Sequence, residues 1–457
     1  MFIERLLGKK IELWVVGLLL VLIFCFGIFA AGVLRDEIET RAKPGMVPDN
    51  GAFGRAVVRI STLKSDIETV FNTRPPTGAN EAPHVEHLPS GWSSGEPTPP
   101  ISGYLLLSRV DGDAQRSVAE FLDLRTFEIL HRWEVDPTVL LADVERNSRI
   151  VPYTQWNNLY FRAKHPLLEA DGTLVVHGQF SPLMRLGPCG DRRWIYKGHN
   201  FHHSLMKDHA GNFWAPSLTE PSPNSASKRF RDDTLTAVDA DGKMVFSKSL
   251  TTILREHGHD YLFYQMFGYS QDPLHLNDIE PVMEDGPYWK KGDLFLSMRR
   301  KSMIMLYRPA TDEIIWMKRG PWWSQHDVDI VDDTRIAIFN NNVRETGRGR
   351  TNDGTANVLI YDFATDSVSS PYQETLEELV VDAESNGLYD FTKSGHIIIE
   401  DDLAGRLIIL GPEGEVAHQY LNRAEDGIRY RMSWTRYVPQ ALGDAARAAL
   451  EAAPACD

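Results

Sequence analysis

Five polar side chains between residues 203 and 326 have the types and spacing that suit transfer of a tetrahedral anion. His275 and Asn277 are one residue apart, Arg299 follows a short apolar run, and His203 and His326 lie before and after them. A neutral imidazole nitrogen is a competent nucleophile near neutral pH. Amide and guanidinium N–H groups stabilise negative charge on a group in transfer. The set predicts a site that binds and transfers such an anion.

A repeated β-unit holds these residues at the ends of short apolar runs, where loops on a rigid sheet scaffold can bring them together. From residue 103 onward, each unit has one strand-like run and then a turn-centred hairpin. The six hairpins span 121–135, 183–197, 235–248, 305–317, 358–368 and 407–418. Four strands per unit, repeated radially, predict an all-β, six-bladed β-propeller. A β-sandwich or two successive β-barrels is the rival architecture.

The phase of the repeat favours the propeller. In four units the segment before the second strand begins with a polar residue: His165-Pro-Leu-Leu, His203-Ser-Leu-Met, Asn277-Asp-Ile-Glu and His326-Asp-Val-Asp. Equivalent ends of innermost strands converge on the central channel of a propeller, so these residues are expected to ring one site. His165 is interpreted as a hydrogen-bonding loop residue. The run 428–437 is expected to complete the first or last blade and close the ring.

The N-terminus contains a candidate membrane span. Residues 13–34 are 22 residues without a charge, which as a helix would be roughly 33 Å long and would cross a bilayer core. Lys9 and Lys10 precede the span, and Asp36 and Glu37 follow it. The positive-inside rule then predicts a single-pass inner-membrane protein with its catalytic domain outside the cytoplasm. A cleaved signal peptide is the alternative, although its apolar core is usually shorter.

The remaining boundaries follow from composition. Residues 1–35 are the cytoplasmic N-terminus and anchor, and 36–100 hold an amphipathic helix (53–72) and a Pro/Gly-rich linker or surface strap (74–100). Residues 101–440 form the propeller, and 441–457 form an Ala-rich helical tail. The amphipathic helix could pack on the globular domain, lie on the membrane, or pair with another copy to make a homo-oligomer.

Charge and cysteines exclude some classes of partner. A net charge of −15 and a pI near 5.5 argue against a nucleic-acid surface. No cofactor is expected, and no Cys/His spacing indicates structural zinc; a divalent ion in the channel is left open. Cys189 and Cys456 remain as two free thiols or as a disulfide, because Cys25 lies in the span.

Several short motifs make residues 160–420 resemble the arylsulfate sulfotransferase family, bacterial enzymes with a six-bladed propeller that need no nucleotide sulfate donor. The motifs are Phe201-His202-His203 with Gly211-Asn212, His275-Leu276-Asn277-Asp278, Ser297-Met298-Arg299 with Ser302, Glu313-Ile314-Ile315-Trp316, and Gln325-His326 with Phe339-Asn340-Asn341. Their order and spacing together carry the resemblance.

The resemblance implies a role for each residue. His326 matches the histidine that accepts the sulfuryl group as a sulfohistidine, and His275 with Asn277 matches the His-x-Asn pair of the family. Arg299 matches the family arginine and His203 an earlier active-site histidine. Two alternatives stay open: His202 in place of His203, and Arg300 in place of Arg299.

The function expected from the resemblance is a membrane-anchored sulfotransferase that moves a sulfuryl group from an aryl sulfate to a hydroxyl acceptor, a phenol or a glycan. Trp322 and Trp323 would form an aromatic wall for the aryl ring or pack in the core. The leading alternative is a non-catalytic propeller that binds an anionic glycan or a protein partner at the membrane surface. A quinone-cofactor dehydrogenase ranks last, because no cofactor-binding cluster is evident.

Overall fold

The structure is a computed structural model that describes residues 18, 20–22, 26, 77–225, 227, 229–264, 270–346, 349–352 and 354–456. The chain divides into two units, residues 1–73 with 265–270 and residues 74–264 with 271–457. Every described strand belongs to the second unit. The predicted span 13–34, apart from five residues, and the predicted amphipathic helix 53–72 lie outside the described residues. In the part of the chain that is described, every helix is too short or too polar to cross a bilayer.

Strands dominate the second unit. In chain order they are β1 (Gly91–Ser94), β2 (Tyr104–Asp111), β3 (Arg116–Asp123), β4 (Ile129–Val135), β5 (Ala163–Leu168), β6 (Leu174–Gly178), β7 (Ser181–Leu186), β8 (Arg192–Phe201), β9 (Met206–Lys207), β10 (Phe213–Thr219), β11 (Asp232–Val238), β12 (Met244–Ser249), β13 (Leu276–Pro281), β14 (Leu294–Met298), β15 (Met303–Arg308), β16 (Glu313–Arg319), β17 (Val328–Ile330), β18 (Arg335–Asn340), β19 (Val343–Thr346), β20 (Gly349–Asn352), β21 (Asn357–Asp362), β22 (Ser367–Ser369), β23 (Leu388–Phe391), β24 (Ile397–Asp401), β25 (Arg406–Leu410), β26 (Val416–Leu421) and β27 (Arg436–Val438). The α-helices are α1 (Pro137–Leu140), α2 (Leu250–Glu256), α3 (Gln373–Glu378) and α4 (Gln440–Ala452).

The strands form antiparallel sheets in an all-β, propeller-like arrangement, as the repeat predicted. Four separate blades have the strand orders β27-β2-β3-β4, β13-β14-β15-β16, β17-β18-β21-β22 and β1-β26-β25-β24-β23. A fifth sheet has eight strands in the order β12-β11-β10-β8-β7-β6-β5, with β9 beside β10, and β19 and β20 form a small ribbon.

The predicted count of six separate blades is therefore wrong. The hairpins at 183–197 and 235–248 were assigned to two blades, but they belong to one sheet. The reason is the length of β8, whose ten residues continue until Asn200 and Phe201 pair with Leu218 and Ser217 of β10. A strand that runs on in this way joins two consecutive meanders that the turn pattern alone separates.

The two ends of the chain meet on the sheets. β27 pairs with β2 and so joins the last described strand to the first blade, as the run 428–437 predicted. β1, which lies within residues 74–100, pairs with β26 of the last sheet. β2 and β26 each gain a partner in this way, so neither is left as an exposed edge that would invite aggregation.

α4 packs its small residues against β2. Gly443 and Ala446 are buried, and a Cβ on Gly443 would lie only 2.0 Å from Cδ2 of Tyr104. Only glycine allows this approach of the helix to the ring. A disulfide between Cys456 and Cys189 fixes the chain beyond α4, which resolves the alternative that the sequence left open.

The first strands of successive meanders lie side by side, with β9 next to β13, β13 next to β17, and β27 next to β23 and β5. Buried carboxylates connect several of them. Asp278 accepts the N–H of Val328 (3.2 Å), and Asp390 accepts the N–H of Tyr437 (2.7 Å). Each carboxylate links one first strand to the next, so the loops that enter these strands converge on a single region.

Candidate active site

A residue with left-handed backbone lies in, or just before, the first strand of each meander. These residues and their φ angles are His165 (43°), His203 (61°), His275 (58°), Ser324 (51°), Asn386 (62°) and Trp434 (68°). Such conformations cost about 1–3 kcal/mol at a residue other than glycine and persist only where the surroundings impose them. The repetition at equivalent places shows that the architecture imposes one loop geometry where each meander begins.

Four aromatic rings meet there, and we call them the central cluster: His203, His275, His326 and Trp434. The ring centroid of His203 lies 5.1 Å from that of His275, 6.1 Å from that of His326 and 5.7 Å from that of Trp434. The His326 and Trp434 centroids are 6.1 Å apart. Three histidines that are distant in sequence therefore face one small volume.

Hydrogen bonds fix the tautomer of His326. Asn341 uses its side-chain nitrogen to donate to the carbonyls of Ala383 (2.7 Å) and Asn386 (2.6 Å). Its oxygen must then face Nδ1 of His326, 2.6 Å away, so Nδ1 carries the proton. Nε2 holds the lone pair and accepts the backbone N–H of Asn386 at 2.9 Å. His326 thus presents the nitrogen that a nucleophile needs.

The surroundings keep His326 uncharged at neutral pH. Its side chain is buried, and burial lowers its pKa well below the usual 6.5. The positive charge of Arg299 lowers the pKa further. A neutral imidazole is the reactive form in nucleophilic attack, so both effects keep His326 in the form that such chemistry would need.

His275 is oriented by a carboxylate. Nδ1 of His275 lies 2.5 Å from Oδ2 of Asp272. Burial alone would raise the pKa of Asp272, but the attraction and hydrogen bond of His275, with the charges of Arg300 and Arg231, lower it below its usual value. Asp272 is therefore ionised, and Nδ1 of His275 is the donor.

His203, rather than His202, belongs to the central cluster. His202 lies behind it, with its ring 5.4 Å from that of Phe180 and its Nε2 3.3 Å from Oδ1 of Asp233. The two Nδ1 atoms of His202 and His203 are 2.8 Å apart. Burial lowers the pKa of His202 to about 3 and that of His203 well below 6.5, so both rings are neutral at pH 7. One of the two rings carries the proton of this Nδ1–Nδ1 contact, which couples the tautomer of His203 to that of His202.

Asn277 lies between the two histidine segments. Its side-chain nitrogen donates to the carbonyl of Gln325 at 3.1 Å, next to His326. Its Oδ1 is buried and has no hydrogen-bond partner among the described residues. A buried acceptor without a hydrogen bond costs free energy unless a ligand supplies a donor.

Arg299, rather than Arg300, is the buried guanidinium of the site. Both lie in a 3₁₀ turn, Arg299–Lys301, after β14. The backbone N–H of Arg299 donates to the carbonyl of His275 at 3.0 Å, and its side chain is buried, whereas Arg300 is exposed. The effect of Arg299 on the pKa of His326 places its charge near the nucleophile.

The two tryptophans before His326 differ in their surroundings. Trp322 is fully buried among Phe295, Ile338 and other core residues, so it packs in the core. Trp323 is 37% exposed, with the guanidinium of Arg344 5.2 Å from its ring centre. Both line a surface cavity of about 500 Å³ that also contains Lys318 and Arg319. Only Trp323 is available as an aromatic surface.

Several residues that support the central cluster were not picked out from the sequence. Asp272 lies three residues before His275, a helix-like spacing that carries no signal in a loop. Asn341 follows Asn340 after an apolar run, and nothing in that run indicates that its amide meets His326. Trp434 lies in the run that closes the ring, in the same phase as His203, and Lys164 precedes His165 just as His202 precedes His203. That shared phase was the signal that could have revealed the last two.

The fold and the central cluster define a propeller-like protein with a buried, neutral histidine whose Nε2 carries the lone pair. The model of the arylsulfotransferase (ASST) family matches residues 180–423, more than half of the 457-residue chain. The chain belongs to this family. The match contains His203, His275, Asn277, Arg299 and His326.

Comparison with curated proteins finds no match. Among solved structures, the chain is similar to a protein of unknown function from Bacteroides caccae (TM-score 0.45, 10% identity, 74% of this chain and 99% of that chain). It is also similar to the WD40 β-propeller domain of Doa1 (0.38, 12%, 77% and 97%) and to virginiamycin B lyase from Staphylococcus aureus (0.33, 10%, 57% and 70%). Nothing about the function of this chain follows from these three likenesses.

Proposed function

We propose that the protein transfers a sulfuryl group from an aryl sulfate ester to a hydroxyl acceptor through a covalent intermediate on Nε2 of His326. The observation that carries the proposal is the bond from Nδ1 of His326 to Asn341, which leaves the lone pair on Nε2. Family membership supports the class of reaction.

The reaction has two balanced steps. In the first, the Nε2 lone pair of His326 attacks sulfur, the N–S bond forms, and the S–O bond to the aryl group breaks to release a phenolate. In the second, the acceptor oxygen attacks sulfur, the N–S bond breaks, and the acceptor proton passes to a base. His203 is the neighbouring neutral imidazole in the central cluster; burial lowers its pKa, and the negatively charged sulfuryl group beside it would raise that pKa and let it take the proton.

Charge stabilisation falls to the residues around His326. The three sulfuryl oxygens carry negative charge during transfer, and Arg299 offers a planar set of N–H donors that suits them. His275, oriented by Asp272, adds a further contact. Because the N–H of Asn386 now bonds Nε2 of His326, substrate binding requires this residue to move aside.

The location of the protein is part of the proposal. The uncharged segment 13–34 would anchor the chain in the inner membrane with the sheets outside the cytoplasm. The disulfide between Cys189 and Cys456 supports an extracytoplasmic position, because such bonds persist in oxidising compartments.

The test uses the full chain in detergent with a chromogenic aryl sulfate and phenol. We expect phenolate release that depends on the acceptor and is abolished by His326→Asn. His396→Asn is the matched control, because this buried histidine contacts Thr98 and Ser394 rather than the central cluster. If the wild type is inert toward several donors while its fold is intact, the proposal fails and a sulfate-binding, non-catalytic protein takes its place.

A further inference from the structure

Lys164 is a buried amine whose charged form has no carboxylate at close range to neutralise it. It lies on β5, is 1% exposed, and has no acidic side chain within 4.0 Å of its Nζ among the described residues. The nearest acids are already engaged: Asp402 binds Arg162 through both oxygens, and Glu400 accepts the N–H groups of Trp434 and Thr435. Buried charges in proteins are normally paired, so this one calls for an anionic ligand.

Asn386 connects Lys164 to the nucleophile. Its side-chain oxygen accepts a hydrogen bond from Nζ of Lys164 at 3.0 Å, and its backbone N–H donates to Nε2 of His326 at 2.9 Å. Asn386 therefore hydrogen-bonds both Nζ of Lys164 and Nε2 of His326. A ligand that displaces Asn386 from Nε2 meets the ammonium group on the other side.

Trp434 adds an unused donor to the same region. Nζ of Lys164 lies 5.0 Å from its ring centre, and its ring is also one of the four in the central cluster. The indole N–H of Trp434 is buried and has no acceptor in the described part of the chain. A buried donor without an acceptor is costly, which is a second, independent indication of a ligand with oxygen acceptors.

We propose that Lys164 is a substrate-binding residue whose ammonium contacts an oxygen of the sulfuryl group held at Nε2 of His326, in the position that Asn386 now occupies. The inference rests on the proposed function. It adds a positively charged side chain from β5, a strand that carries none of the other proposed site residues. Neither Lys164 nor Trp434 lies within the residues that match the family, 180–423.

The protonation of Lys164 is consistent with ligand-dependent charge. Burial and the nearby Arg162 lower the pKa of Lys164 to about 7, against the opposing effect of Asp402 and Glu400. A bound anion would favour the ammonium form and raise this pKa. Binding of sulfate should therefore be accompanied by uptake of protons at about pH 7 to 8.

The experiment measures binding without turnover. Inorganic sulfate is titrated calorimetrically into the full-length wild type, Lys164→Met and Lys164→Arg, and thermal unfolding is recorded for each. Lys207→Met is the matched control, since Lys207 lies on the first strand β9 but is paired with Glu169. Phenolate release from the aryl sulfate is measured in parallel.

We expect Lys164→Met to raise the Kd for sulfate about tenfold or more, as loss of a charged hydrogen bond does. The substitution should not lower the Tm, because it removes an uncompensated buried charge. Lys164→Arg should keep part of the affinity, and Lys207→Met should bind as the wild type does.

Two outcomes overturn the inference: sulfate that does not bind the wild type, or a Kd that Lys164→Met leaves within twofold of the wild-type value. The proposed function fails separately. If sulfate binding depends on Lys164 but no aryl sulfate is turned over, Lys164 remains an anion-binding residue and the transfer reaction is abandoned.

Discussion

The side-chain oxygen of Asn341 lies 2.6 Å from Nδ1 of His326, and the nitrogen of the same amide is held by two backbone carbonyls. This arrangement leaves the amide one orientation and the imidazole one tautomer. The lone pair of His326 is thereby placed on Nε2 before any substrate binds, which is the preorganisation that the proposed reaction requires.

Replacing Asn341 should reduce the rate without abolishing binding. Asn341→Ala removes the acceptor for Nδ1–H and frees the tautomer, so we expect kcat to fall about tenfold to hundredfold, the effect of losing about 1.5–3 kcal/mol. Nitrogen NMR of His326 would report the tautomer directly. Asn340→Ala is the control, because Asn340 bonds the N–H of Trp323 and the side chain of Asn357 instead. An unchanged tautomer in Asn341→Ala would contradict the role.

Asp272 should act through His275. Asp272→Asn keeps an oxygen near Nδ1 of His275 but removes the charge, so kcat/KM is expected to fall about tenfold to hundredfold. Steady-state kinetics with the chromogenic ester measure this effect. Asp285→Asn, in an exposed loop where Asp285 accepts the N–H of Lys291, should be neutral. Equal activity of the two variants would show that the His275 to Asp272 bond is structural only.

The two neighbouring arginines should differ sharply. Arg299→Met removes the buried guanidinium and should lower kcat about 10²-fold to 10³-fold, as loss of a donor to a developing oxyanion does. Arg299→Lys keeps the charge but not the planar set of donors, so its activity should be intermediate. Arg300→Met should change kcat little, because Arg300 is exposed. A larger loss in Arg300→Met than in Arg299→Met would reverse the assignment.

The pH profile should lack an acid limb near pH 6.5. Burial and Arg299 hold the pKa of His326 well below 6.5, so His326 stays neutral as the pH falls through that value. We expect kcat/KM to remain level on the acid side of about pH 6.5 and to fall only at lower pH.

The free energy of unfolding, by contrast, should depend on pH in this range. The unfolded chain binds protons at histidine more readily than the folded chain, so the free energy of unfolding decreases as the pH drops below 6.5. Kinetics and thermal unfolding across this range separate the two effects, and a kinetic midpoint at 6.5 would contradict the first.

The disulfide should contribute to stability and not to catalysis. Cys189 and Cys456 are 267 residues apart in sequence, with Cα atoms 5.3 Å apart. Replacing both by Ser should lower the free energy of unfolding by about 2–4 kcal/mol. Thermal unfolding with and without reductant tests this, and the reductant should have no effect on the double variant. A loss of kcat would show that the tail beyond α4 supports the active site.

Much of the fold follows from local pattern. Turn residues between apolar runs are read from sequence because each hairpin is stabilised by contacts close in the chain, and the Ala-rich helix α4 follows from propensity. The joining of two meanders into one sheet cannot be predicted from local pattern, because the pairing of β8 with β10 depends on how far a strand extends beyond its hairpin. Local periodicity carries no information about that length.

The sequence by itself determined the residue types of the candidate site and the phase that brings them together. It left open which of two adjacent histidines and which of two adjacent arginines face inward, since adjacent residues of one type look alike in sequence and only the surrounding sheets decide which one faces the site. Only the tertiary structure placed Asp272 on His275, Asn341 on His326, and Lys164 beside Asn386. One of these three contacts, from Lys164 on β5 to Asn386 before β23, joins different sheets. Its geometry is decided by the packing of whole sheets, which no short stretch of sequence encodes.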